Sequence, residues 1–505
     1  MTVTKKLFAA ALACAVFAAN IYAQDDWGSD DWGGDSSAST ESSEKSFWDK
    51  FKINGDATLA GRVYFDGENV EKTTVTPIAR LKLGFDYEGD STKFSSKLRF
   101  DEQTLRYDNE MILDEFNADL FVGDWVLSAG KMKVVWGKGD KLHVLDNFNS
   151  NNYYDFLIPD YLDRRNSEYM FRAQYNCPLG FRVEGIYTPI MHGESYAQKG
   201  PWVPNKVTNL TNAVKQAQAA TILAAGGNPG ASIPGVTVTP AMLAALMNAS
   251  SMSADSLTPN TFKLEYGQFG GYVNFSIGIV DLGVSYYNGH YKQVSTDLSQ
   301  VIMTNRSLGG NGSGMPSLHY DKLQSFGLDA QTALGPFTLR GEFVYNLTKD
   351  TKGNDPWTRN NSIGYLLGFD VSLPIHNVTL NVQATGNVVL KKGEIDNYKI
   401  GSLSIPNTKQ YDVDYDPTGC YTNHKIVVQL QDKFYYEKVT ATLKAIYGIE
   451  RADLILMPEL SFKVRDGWKA TASGLVIHNF GTEEHSEFYG WLNNSFIQLA
   501  VNYTF

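Results

Sequence analysis

From residue 51 onward the chain alternates apolar and polar positions with period two, the repeat of an extended strand whose successive side chains point to opposite faces. Ile53, Gly55, Ala57, Leu59, Gly61, Val63 and Phe65 share one face; Lys52, Asn54, Asp56, Thr58 and Arg62 share the other. The same dyad sets Ala79, Leu81, Leu83, Phe85 and Tyr87 against Arg80, Lys82, Asp86 and Glu88. It returns with Phe337, Leu339, Gly341, Phe343 and Tyr345 against Thr338, Arg340 and Glu342. Eighteen such segments begin near residues 52, 77, 93, 112, 125, 166, 181, 262, 281, 320, 337, 361, 378, 424, 438, 452, 468 and 488. Residues 125–135 alternate least cleanly, so the pattern allows sixteen strands as well as eighteen.

The gaps between segments sort by length. From the second segment on, every other gap is a short turn, as at Gly123 and Asp124 or Gly335 and Pro336. The intervening gaps are mostly long: 137–165, 190–261, 291–319, 347–360 and 389–423. Short turns at one end and long loops at the other are the plan of a transmembrane antiparallel up-and-down β-barrel of a bacterial outer membrane, with the turns and both chain ends periplasmic. A soluble all-β protein could supply the strands but would have no reason to sort its loops. On this map Cys177 lies on a turn and Cys420 in a loop at the opposite end, so they cannot pair.

The ends of the chain agree. Lys5 and Lys6 precede an apolar run over residues 7–19 and then Ile21, Tyr22 and Ala23, which reads as a signal peptide over residues 1–23. The run is too short to cross a bilayer as a helix. Residues 24–46 repeat Asp-Asp-Trp-Gly and turn Ser-rich and acidic, a composition that cannot bury enough surface to fold and predicts a disordered periplasmic leader. The barrel would occupy residues 47–505. Its last strand carries Ile497, Leu499, Val501, Tyr503 and Phe505 on one face. That ending resembles the terminal signal through which outer-membrane proteins engage the barrel assembly machinery, with Tyr503 and Phe505 as its anchors.

Composition mainly excludes. The formal charge is −11, and nucleic-acid binding requires a basic footprint. No stretch after the leader approaches eighteen apolar residues, so helical membrane spans are excluded. Aromatics reach 13% while prolines number 17, as many long strands with aromatic ends would produce.

The least strand-like segment begins at Gly130. It reads Gly-Lys at 130–131, Trp-Gly-Lys-Gly-Asp at 136–140 and Asp-Arg-Arg at 163–165. Together with Tyr-Gly-Gln-Phe-Gly-Gly at 266–271, this run resembles large porin-like outer-membrane barrels of spirochaetes, including treponemal ones. The resemblance implies a porin-like protein and nothing firmer about its solute. Read physically, the loop gathers Asp140, Asp146, Asp155, Asp160 and Asp163 beside Arg164 and Arg165. It could fold onto the barrel rim through ion pairs or fold inward as a charged constriction. It could also offer Trp136, Tyr153, Tyr154 and Tyr161 as a track for sugars. No EF-hand register of acids is present, and neither a cofactor nor a metal is expected. His143 beside Asp140 and Asp146 is the one grouping that hints at a hydrolase, without a nucleophile elbow or zinc spacing. The 190–261 loop, with Thr239 and Pro240 as a helix start, is expected to carry short helices that cap or plug the lumen.

On the lumen faces Arg80, Lys82, Lys93, Lys97 and Arg99 cluster on adjacent strands, and such a basic ladder would ease anions through. The pore candidates are therefore Arg80, Lys82, Lys97, Arg99, Asp140, Asp160, Asp163, Arg164 and Arg165. The reading that follows is a diffusion channel for small hydrophilic solutes, integral to outer-membrane lipid, as a monomer or homo-oligomer. A closed adhesin or receptor barrel and an outer-membrane hydrolase are its competitors.

Overall fold

The computed structural model describes residues 50–65, 74–205, 232–233, 236–237, 257–303, 316–400, 403–405, 408–416 and 418–505. Eighteen of its strands form one antiparallel sheet. They are β1 (Phe51–Tyr64), β2 (Thr76–Glu88), β3 (Thr92–Phe100), β4 (Leu113–Val122), β5 (Trp125–Met132) and β6 (Glu168–Asn176). Next come β7 (Phe181–Thr188), β8 (Gln268–Ile277), β9 (Val280–His290), β10 (Lys322–Leu334), β11 (Phe337–Thr348) and β12 (Ser362–Ser372). The last six are β13 (Thr379–Val389), β14 (Thr422–Phe434), β15 (Val439–Gly448), β16 (Asp453–Arg465), β17 (Trp468–Asn479) and β18 (Phe496–Thr504). Each strand pairs with its neighbours in sequence, and β1 pairs with β2 on one side and β18 on the other. The sheet is thus a closed barrel without edges.

The strand number is eighteen, and the segment that left sixteen open is a strand of eight residues. Its poor alternation has a simple cause: residues 133–135 already leave the wall. Two starts differ from the periodicity. The strand expected near 262 begins at Gln268, because a 3₁₀ turn at Leu264–Tyr266 stands before it. The strand expected near 488 begins at Phe496, because Phe488 and Trp491 pack into a cluster inside the barrel instead. The turns at one end span two to six residues, while most connections at the other end are long, 449–452 being the exception.

Burial is inverted relative to a soluble protein. Leu367 is 61% exposed and Leu499 64%, both outward, while Glu184, Gln268 and Glu342 on inner faces are buried. This is the order that lipid outside and water inside would require. Aromatic pairs ring both ends: Trp125 with Tyr175 (4.9 Å) and Trp468 with Tyr503 (4.7 Å) near the turns, Tyr286 with Phe326 (5.2 Å) towards the loops. Beyond β18, the Phe505 backbone exchanges two hydrogen bonds with Gly55 (3.0 and 3.1 Å). A Cβ at position 55 would lie 2.2 Å from the Phe505 ring, so a side chain there would displace the terminal aromatic from this position. Cys177 and Cys420 are both free. The expected signal peptide and leader, and the helix start at 239–240, lie outside the described residues.

Candidate pore constriction

Residues 133–167, between β5 and β6, cross the inside of the barrel and are fastened to opposite walls. The first arm carries Val134, Trp136, Leu145 and Phe148, all nearly inaccessible to solvent. They pack on Met170, Ile186, Tyr272, Tyr287, Leu323 and Val344, one inward side chain from each of β6 to β11. Trp136 lies over Tyr272 (5.6 Å) and against Phe148 (5.0 Å). Burying side chains of this size stabilises by about 1.5–3 kcal/mol each.

Two buried carboxylates complete this anchor. Glu184 accepts from Trp136 Nε1 (2.8 Å) and Arg172 (2.6 Å). Glu342, whose side chain is wholly enclosed, accepts from the Gly139 amide (2.7 Å) and the Val144 amide (2.8 Å) and meets His143 Nδ1 at 2.8 Å. A buried carboxylate is tolerable only when its lone pairs are used in this way. Gly137 has φ of +111°, and a Cβ there would sit 2.2 Å from Glu342 Oε1. Glycine is therefore required twice over at this corner.

The second arm reaches the far wall. Phe156 stacks on Trp202 (4.8 Å, 3° between planes) and meets Phe488 and Trp491 edge-on. Arg62 on β1 grips Asp155 through both terminal nitrogens (2.7 and 3.0 Å). Lys82 on β2 meets Asp163 (2.6 Å), and Lys444 on β15 meets Asp160 (3.4 Å), which also faces Lys141 (3.1 Å). Burial alone would raise Asp160 and Asp163, but these ammonium groups outweigh it and hold both below the usual carboxylate range. The Asp160 pairs are solvent-exposed and contribute at most about 1 kcal/mol each. Arg165 and the Tyr161 hydroxyl both bind Asp146, tying the arms together.

Between the second arm and the inner faces of β1, β2 and β13 to β18 lies a cavity of about 1170 Å³. Its wall runs from Glu487 in the loop layer to Lys469 beside the β16–β17 turn, with cations and carboxylates nearly balanced. The described start of the 190–261 loop also folds inward, with Ala197 and Trp202 in the aromatic cluster.

Of the nine pore candidates, Arg80, Asp140, Asp160, Asp163 and Arg164 line this cavity. The others face partners instead. Lys82 is bound by Asp163, Lys97 by Glu115 (3.2 Å), Arg99 by Asp101 (3.1 Å) and Gln103 (2.8 Å), and Arg165 by Asp146 (2.9 Å). Four of the five cations of the expected basic ladder, Arg80, Lys82, Lys97 and Arg99, thus face carboxylates that loops and neighbouring strands bring to them. Trp136 is buried against the wall and Tyr154 rests on Tyr107 (5.9 Å), so of the four aromatics offered as an alternative sugar track only Tyr153 and Tyr161 line the cavity. His143 serves the Glu342 anchor. Among the described residues no group of three His, Cys, Asp or Glu side chains is placed to hold a metal. Sequence reasoning missed Glu342, Glu184 and Arg62 as site residues. Each sits on a lumen-facing row, but its partner is far away in the chain.

No family model matches the sequence, and no curated protein does. The chain is similar in fold to solved barrels. A mutant of the Rh. blastica porin aligns over 90% of this chain and all of its own, at 10% identity and a TM-score of 0.36. OccAB4 of Acinetobacter baumannii aligns over 90% and 97%, at 12% identity and a TM-score of 0.44. A loop-deleted OmpT, an outer membrane protein of Vibrio cholerae, aligns over 90% and 100%, at 8% identity and a TM-score of 0.36.

Proposed function

We propose that the protein is an outer-membrane channel of porin type, through which small hydrophilic solutes diffuse. The observation that carries this reading is the charged cavity inside a barrel with an apolar exterior, narrowed by a loop fastened to both walls. Its volume of about 1170 Å³ exceeds that of most small-molecule pockets, which hold one bound ligand in about 300–1,000 Å³. Nearly balanced wall charge suits uncharged and weakly charged solutes and predicts modest ion selectivity. The resemblance of the 130–165 and 266–271 motifs to spirochaete barrels supports the same reading. In this orientation the short turns and the terminal strand face the periplasm, and the long loops face outward.

The test is single-channel recording of the purified, folded protein in planar bilayers. Discrete conductance steps with weak reversal potential in a salt gradient are expected. Folded protein that inserts and stays silent would remove the channel and leave a closed receptor barrel.

A further inference from the structure

The cations of the cavity wall are almost all neutralised. Arg62 has Asp155, Lys444 has Asp160, Lys425 has Glu487 (2.8 Å) and Arg451 has Asp416 (2.8 Å). Among the described residues, Arg164 and Lys469 have no such partner. Lys469 stands exposed near the turns, opposite Lys463 on the next strand. Arg164 is different, because it belongs to the second arm of the constriction itself.

Its backbone is fixed. The 3₁₀ turn Leu162–Arg164 holds it, and its amide donates to the carbonyls of Asp160 (3.0 Å) and Tyr161 (3.2 Å). Its neighbours are tied on both sides, Asp163 to Lys82 and Arg165 to Asp146. The guanidinium lines the cavity, while its Nε is shielded from solvent with no acceptor in the protein. Tyr153 lines the same stretch of wall, stacked on Tyr196 (5.7 Å), and burial lowers the pKa of Arg164 beside it. Nε is closed to a solute as it is to water, so the two terminal nitrogens are the donors that a solute in the cavity can reach. The acceptor that fits a planar guanidinium is a carboxylate, which takes two parallel N–H bonds.

We infer that Arg164, flanked by Tyr153, forms a subsite for the carboxylate of small organic acids moving through the cavity. The inference deepens the channel reading and rests on it. Benzoate serves as the probe, with benzyl alcohol as its uncharged counterpart, measured by saturation-transfer NMR on folded protein in detergent. Arg164→Gln lowers benzoate affinity about tenfold, as expected for losing a hydrogen bond between charged groups. Arg164→Lys keeps the charge without the planar fork and falls between the two. Benzyl alcohol binding is the same in all three. Native protein that does not bind benzoate, or variants that bind it equally, would overturn the subsite. Arg164-dependent binding by a barrel that does not conduct would keep the subsite and remove the channel. Conductance without such binding does the reverse.

Discussion

The enclosed carboxylate of Glu342 is the point at which the constriction is most easily undone. Replacing it with Ala removes the acceptor of two backbone amides and of His143, at 2.7 to 2.8 Å. Hydrogen bonds to a charged group contribute about 1.5–3 kcal/mol each, and they are not additive, so about 4 kcal/mol is a fair sum for three. Part of the burial cost of the carboxylate itself is returned when it is deleted, which brings the net effect nearer to about 3 kcal/mol. That is about a hundredfold rise in the population with the first arm detached. The aromatic anchor around Trp136 still favours the docked arm, so the mean conductance changes little. What changes is the frequency of openings. A soluble protease should nick the 137–145 segment about a hundredfold faster in Glu342→Ala than in the native barrel, with cleavage tracking the open population. Bilayer recordings should show brief excursions to higher conductance. Glu342→Gln, which keeps one acceptor oxygen, should lie between. If the Ala variant is nicked at the native rate while keeping the native barrel's circular dichroism, the carboxylate does not hold the arm and the reasoning fails.

Three further outcomes follow from the same geometry. Gly137→Ala drives a methyl into Glu342 at a strained φ, a penalty of order 1–3 kcal/mol, and should reproduce the nicking of Glu342→Ala without touching the carboxylate; a protease-resistant Gly137→Ala would contradict this. Burial raises Asp412 to about 7 in the loop that docks on Pro356 and Asn360. Because the docked form binds the proton more tightly, docking is strongest below the ordinary carboxylate range and weakens as pH rises through 7. Fluorescence of Trp357, which faces Tyr411 (6.3 Å), should report that loss between about pH 4 and about pH 7. Asp412→Asn should abolish the pH dependence, and a retained titration would assign it elsewhere. Finally, a membrane-impermeant maleimide on intact cells should label Cys420 and spare Cys177 until the outer membrane is opened. The opposite pattern would invert the proposed orientation.

The wall of this protein is readable from its sequence because a barrel imposes the same two constraints on every strand. Lipid-facing and lumen-facing rows must alternate, and turns must be short at one end. Those constraints are local, so β11 and β15 can be seen in residues 337–345 and 439–447 alone. The inside of the barrel obeys no local rule. His143 stands three residues from Asp140 and Asp146, yet its partner Glu342 lies 199 positions away. Arg62 and Asp155, or Lys444 and Asp160, are likewise invisible as pairs because closure of the sheet, not spacing, brings them together. Arg164 and Arg165 are adjacent and chemically identical, and only the fold separates the tied one from the free one.

The pairing of β1 with β18 has a consequence for how the molecule is made. The side chains of Asp56 and Asn502 are hydrogen-bonded across this seam, although 446 positions separate them. Every other strand pair in the wall can form as soon as its two members have been synthesised and delivered. This one must wait for the whole chain. Until then the growing sheet has two raw margins with unsatisfied N–H and C=O groups and an apolar outer face, which is the most aggregation-prone object a β-protein can present. The seam therefore sets a clock: seventeen strands can be in place while the assembly is still hazardous, and only the arrival of the last one makes it safe.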